Sequence, residues 1–348
     1  MKLRTYSLQL PLAHSFTISR ESIDCQTSVI VELQHDGMVG YGEVTENQFY
    51  GHPRAEILAS IDRALPLLNA YVDGDPLELF DPLLEMLDGD TFAASAIDMA
   101  AHDWRGKKLG RPTWQVWGLQ WRNVPPSSYT IGIDTITTMV AKLEEQPGWP
   151  IYKIKLGTPH DLEIVRQLRS KTNAVFRVDA NGAWTAEQVV ENSIALKDLG
   201  VEFIEQPLPL SASPEDKRWV YRHSRLPIIA DEDCQIPSDV ARCVEFYHGI
   251  NVKICKCGGL SPALKMLRQA RQLGLRTMVG CMVESSIGIS GAAQLLPLLD
   301  YADLDGALLL AHEPAASIVV ATGHVSEPTS DGTGARLLMD RLPEYLLS

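Results

Sequence analysis

At 348 residues the chain is too long for one simple core, and fits either two domains or one large α/β barrel with an added layer. Its 45% hydrophobic and 22% charged residues are ordinary for a soluble globular protein, and no run of about 18 uncharged apolar residues offers a membrane span. A formal charge of −13 excludes the basic face that nucleic acid requires.

The start, MKLRTYSLQLPLAHSF, holds one short apolar patch broken by His14 and no small-residue cleavage site, so no signal peptide is expected. Residues 27–33 (TSVIVEL) read as a strand. Asp36-Gly37 is a hairpin signal, and MVGYGEV follows as a second strand. Helical spacing covers residues 53–70 and 91–109, the latter stopping on Lys107, Lys108 and Gly110. QWRNVPPSS, with two prolines and little periodicity, marks a boundary.

Beyond it, short apolar strands alternate with helices. The strands are SYTIGID, YKIKLG, AVFRVDAN, VEFIEQP, PIIADED, INVKICK, RTMVGCM and ADLDGALL. Segments such as LEIVRQLRS, AEQVVENSIALKDLG and SPALKMLRQARQLG lie between them. Eight such units predict a closed parallel barrel with a degenerate last unit, an α/β fold of the (β/α)7β modified TIM barrel type. An α+β capping domain over 1–120 would precede a barrel over 121–315, and the tail 316–348 would pack back on the cap. The six cysteines form no CxxC pair and no Cys/His cluster, so no zinc site and a reduced, cytoplasmic protein are expected.

Polar residues recur at the strand ends. Lys155, Asp179, Glu205, Asp231, Lys256 and Cys281 follow one another at steps of 24, 26, 26, 25 and 25 residues. One β/α unit per step sets them at one height, the C-terminal mouth where barrel active sites lie. Asp179, Glu205 and Asp231 there make a hard-cation site, best suited to one Mg²⁺. Lys153 and Lys155, two apart, point to the same face. Each ammonium would disfavour the other's charge, and Lys155 would then serve as a base. Lys253 and Lys256 differ in parity, so only one should face inward; Lys253 reads as a solvated strand-end lysine. Lys155 and Lys256, four strands apart, would approach a substrate from opposite faces, as a 1,1-proton transfer through an enediolate needs.

YKIKLG, VDANG, IEQPL, ADED and KICKCGG, in this order, resemble the muconate-lactonizing subgroup of the enolase superfamily over nearly the whole chain. The resemblance implies Lys155 and Lys256 as the acid/base pair, Asp179, Glu205 and Asp231 as Mg²⁺ ligands, and Lys153 as support for Lys155 and the substrate carboxylate. Asp303-Leu304-Asp305 looks like the DxD motif with which dipeptide epimerases grip a substrate α-ammonium. With GCMVESS, FTISR and YTIGID it is similar to L-Ala-D/L-Glu epimerases, which would put Thr130 and Cys281 in the substrate pocket. Asp233 departs from the serine usual after ADE.

The expectation is a Mg²⁺-dependent dipeptide epimerase inverting the C-terminal residue of L-Ala-L-Xaa, and the resemblance implies a homo-oligomer with a small-molecule dipeptide substrate. Loops near 14–24 and 45–53 would cover the mouth, with Arg20 pairing to a substrate glutamate or Phe49, Tyr50 and His52 shaping an apolar pocket. Hydrophobic dipeptides therefore stay open beside L-Ala-D/L-Glu. N-succinylamino acid racemase or o-succinylbenzoate synthase chemistry is the alternative, against which the DxD pair speaks. A barrel that only binds would leave the lysines without purpose, and Cys257-Gly258-Gly259 has no P-loop to make a phosphate site.

Overall fold

The computed structural model describes residues 1–71 and 74–347. Strands β1 (Lys2–Ile18), β2 (Glu21–His35) and β3 (Met38–Thr45) form an antiparallel sheet in that order. Asp36 and Gly37 both have positive φ, as a tight hairpin turn between right-twisted strands requires. β1 was not expected from the sequence, and β2 runs longer than residues 27–33. Pro11 argues against a strand, yet it sits where the β1–β2 register shifts, so its missing N–H costs no ladder bond. The segment near 14–24 is thus the tip of a long hairpin rather than a loop.

The helix expected over 53–70 is two, Arg54–Arg63 and Leu65–Ala70, the second carrying Pro66 in its first turn. A further helix, Pro76–Met86, begins where Asp75 accepts a hydrogen bond from the Leu77 amide. Helix Thr91–Leu109 has the expected ends: Asp90 accepts from the Ala93 amide at 3.0 Å, and Gly110 takes the left-handed conformation. Its small residues let β3 approach closely; a Cβ on Gly42 would lie 1.9 Å from the Ala96 carbonyl oxygen.

The barrel strands are β4 (Tyr129–Ile131), β5 (Ile151–Lys155), β6 (Val175–Asp179), β7 (Val201–Glu205), β8 (Ile228–Ala230), β9 (Gly249–Lys253), β10 (Arg276–Gly280) and β11 (Tyr301–Asp303). They are parallel and paired in chain order. A parallel bridge between Ser127 and Ala302 closes the circle. Helices fill the connections except after β8, where a 3₁₀ segment (Pro237–Cys243) stands in. Only the 3₁₀ turn Gly306–Leu309 follows β11, the degenerate end of a (β/α)7β barrel. Phe203, Ile229, Met278 and Tyr301 make a small apolar cluster among buried residues of the barrel strands. The tail returns to the cap: the Gln9 amide donates to the Tyr345 carbonyl and the Leu347 amide to that of Ser7, both at 2.8 Å.

Candidate active site

Asp179 ends β6, Glu205 ends β7, and Asp231 directly follows β8. Parallel register sets Lys155 beside Asp179 and Asp179 beside Glu205. All three carboxylates are fully buried, with one oxygen of each within 4.8 Å of the others. Three like charges out of water cost several kcal/mol each unless compensated. Lysines compensate them. Lys153 Nζ lies 2.8 Å from Glu205 Oε2, 3.2 Å from Asp179 Oδ2 and 2.8 Å from Asp303 Oδ2. Lys155 Nζ donates to Asp179 Oδ2 at 2.7 Å and to Asn181 Oδ1 at 3.3 Å. Across the barrel, Asp231 receives Lys253 at 2.9 Å. Lys256 also binds the Asp231 carboxylate and donates to its carbonyl at 2.6 Å.

Two expectations fail here. Lys253 is not solvated: it is 9% exposed and paired with Asp231. Strand parity applies only while the strand continues, and β9 ends at Lys253. The helical turn Ile254–Cys257 then returns the residue three positions on to the same side, so both lysines face Asp231. Nor is Lys153 depressed. Burial disfavours the Lys153 ammonium, but Asp303, Glu205 and Asp179 outweigh it and hold its pKa well above the ordinary lysine value.

The carboxylates divide by the same balance. Burial pushes Asp179 up, but Lys155 and Lys153 overcome it and hold it at about 2. At Asp231 burial loses to Lys253 and Lys256, leaving it well below the carboxylate range. At Glu205 burial wins over Lys153, and its pKa rises to about 7. Glu205 Oε1 accepts from Asn251 Nδ2 at 2.7 Å; Oε2 is buried with no hydrogen bond, its contact with Lys153 being an ion pair without donor alignment. An under-satisfied oxygen in an all-carboxylate set fits a hard divalent cation, for which these three residues would be the ligands.

Above the carboxylates lies a cavity lined from the barrel by Thr130, Lys153, Lys155, Cys281, Asp303 and Asp305. Asp303 accepts from Ser128 Oγ at 2.7 Å, and Asp305 Oδ2 from the Thr130 amide at 2.5 Å. Burial and the Asp303 charge push Asp305 up to about 7, whereas Lys153 overcomes burial to lower Asp303. The pair would welcome a cation. Cys281 Sγ accepts from the Gly306 amide at 3.3 Å, and burial raises its thiol well above the usual value, so it is a wall rather than a nucleophile. Lys256, 1% exposed, is held at Asp231 and does not itself line the cavity.

The cap contributes Phe16, Ile18, Arg20 and Tyr50. Arg20 is not free for a ligand carboxylate alone: its Nη1 lies 2.7 Å from Glu232 Oε1, and its guanidinium stacks 3.9 Å from the Phe49 ring centre. The Tyr50 hydroxyl is buried without a hydrogen-bond partner. Asp233 lies outside the cavity wall, bound to Lys217, Gln206 and the Tyr247 hydroxyl. Sequence reasoning passed over Asn181, Asn251 and Glu232. Asn251 was reachable, being two before Lys253 on one strand face; Glu232 carried no signal beyond its place after Asp231.

Residues 2–118 match the mandelate racemase / muconate lactonizing enzyme N-terminal domain family, and residues 137–341 the enolase C-terminal domain-like family. The chain is 47% identical over 338 residues to the L-Ala-D/L-amino acid epimerase of Flavobacterium johnsoniae, covering 97% of this chain and 100% of that one. It is 38% identical to the L-Ala-D/L-Glu epimerase of Bacteroides thetaiotaomicron, over 96% of this chain and 87% of that one. The crystal structure of the Enterococcus faecalis dipeptide epimerase, complexed with Mg and L-Leu-L-Tyr, superposes with a TM-score of 0.88 at 30% identity, covering 96% of this chain and 98% of that one.

Proposed function

The chain belongs to the mandelate racemase / muconate lactonizing enzyme family, and we propose that within it the chain is a Mg²⁺-dependent dipeptide epimerase, inverting the α-carbon of the C-terminal residue of L-Ala-L-Xaa, glutamate included. One observation carries this reading: Lys155 and Lys256, from opposite sides of the barrel, flank a carboxylate triad, and Lys155 shares its cavity with an aspartate pair. Free thiols at all six cysteines suit a reducing cytoplasm, and murein peptide metabolism is the setting such a substrate would give.

Asp303 and Asp305 hold the dipeptide's ammonium. That fixes the α-carbon of the second residue between the two lysines. Lys155 Nζ serves one face and Lys256 Nζ the other; the neutral amine takes the α-proton and the opposed ammonium returns one. Asn181 orients the first and the Asp231 and Cys234 carbonyls the second. When bound at Asp179, Glu205 and Asp231, Mg²⁺ supplies positive charge where the substrate carboxylate gains negative charge. The buried setting excludes bulk water from the exchanging proton.

Proton NMR in D₂O with Mg²⁺ and L-Ala-L-Glu tests the reading. The α-proton of the second residue should vanish as a new diastereomer grows. Lys155→Ala and Lys256→Ala should each slow epimerisation by about 10²–10⁴-fold with circular dichroism unchanged. Undiminished turnover in either variant, or no exchange by metal-loaded wild type on any dipeptide, would refute it.

A further inference from the structure

The hairpin tip between β1 and β2 walls one side of the cavity with Phe16, Ile18, Arg20, Glu21 and Ile23. Arg20 is the one cation the hairpin contributes there. Its partner, Glu232, comes from the barrel side and is 3% exposed, while Arg20 keeps 26% of its side chain accessible. Glu232 Oε1 takes both Arg20 Nη1 at 2.7 Å and Asn181 Nδ2 at 3.3 Å, and Oε2 is buried without a partner. Phe49 covers one face of the guanidinium. The arginine's charge is therefore already matched inside the protein, and Glu21 adds a negative charge to the same wall. A substrate carboxylate reaching Arg20 meets two acids that oppose it, whereas an uncharged side chain meets Phe16, Ile18 and Ile23.

We propose that Glu232 is a specificity-determining residue of the side-chain subsite: by pairing with Arg20 it withholds the selectivity for acidic side chains that an unpaired arginine would confer, so neutral, apolar C-terminal residues are accepted alongside glutamate. This rests on the dipeptide-epimerase reading. Specificity is a difference of affinities, and a like charge placed against one ligand is an effective way to set it.

The test is the ratio of kcat/KM for L-Ala-L-Glu to that for L-Ala-L-Leu in the Mg²⁺-loaded full chain. In the wild type the two should lie within about tenfold of one another; Glu232→Gln should raise the ratio by about tenfold or more, through loss of one repulsive charge. Placed on Arg20→Met, the same substitution should move the ratio by less than about threefold, because no guanidinium remains to be released. The ratio of dissociation constants for the two dipeptides, by calorimetry on the same proteins, should move in parallel and stays measurable where turnover is lost. An unmoved ratio in Glu232→Gln, or an equal shift with Arg20 absent, overturns the proposal while leaving the epimerase reading intact. No exchange or binding of either dipeptide by the wild type overturns both.

Discussion

At the scale of single residues, the site balances opposed charges, and a second buried group does the same where cap meets barrel. Trp117 Nε1 donates to His102 Nδ1 at 3.3 Å, so His102 Nε2–H donates to Ser261 Oγ (2.9 Å), which donates to Asp98 Oδ1 at 2.6 Å. The chain of bonds requires a neutral imidazole. Burial lowers His102 from 6.5 to about 3, so the unfolded chain binds more protons between those values and stability rises with pH there. Burial raises Asp98 from 3.8 to about 7 against its bonds from Ser261; the folded state binds more protons, and stability falls with pH across that window. The two slopes oppose. Asp98→Asn should leave the histidine slope uncovered, so its urea midpoint should climb more steeply than the wild type's between pH 4.5 and 6.5; equal slopes would refute the balance. Lys155, Asp179, Glu205, Asp231 and Lys256 were legible because each closes one β/α repeat. Glu232 and Lys253 were not, because their partners, Arg20 and Asp231, come from other parts of the chain.

Among elements, those whose ends are set by local chemistry were read best. Helix Thr91–Leu109 matches its expected bounds because Asp90 and Gly110 satisfy its terminal groups within a few residues. β1 escaped notice although Leu8 and Leu10 alternate and are fully buried, because Pro11 follows them and only the register shift against β2 explains its tolerance. The same sheet carries the clearest prediction about packing. A Cβ at Gly42 would lie 1.9 Å from the Ala96 carbonyl oxygen and 2.8 Å from the Ala100 nitrogen, both backbone atoms that side-chain rotation does not move. Gly42→Ala should destabilise by about 3 kcal/mol, the upper end of overpacking, measured as a lower urea midpoint at unchanged m-value. A midpoint equal to the wild type's would mean that sheet and helix separate easily.

For the molecule as a whole, the carboxylate triad is a place where folding and cofactor meet. A cation that binds only the folded chain stabilises it by mass action, about 2.7 kcal/mol at a hundredfold excess over Kd. Mg²⁺ should raise Tm, EDTA should reverse the rise, and Glu205→Gln should abolish most of it; a rise of equal size in the variant would remove Glu205 from the ligand set. Among the described residues no helix is long and apolar enough to cross a membrane, in line with the composition. By itself the sequence determined the alternation of strands and helices, their order, and the height of the strand-end residues, because these follow from local periodicity and a constant repeat length. Tertiary structure alone decided the closure through Ser127 and Ala302, the turn that brings Lys256 back to Asp231, and the salt bridge from cap to barrel that holds Arg20. Those depend on which distant segments share one low-dielectric space, where a charge must find a partner and no local pattern says which.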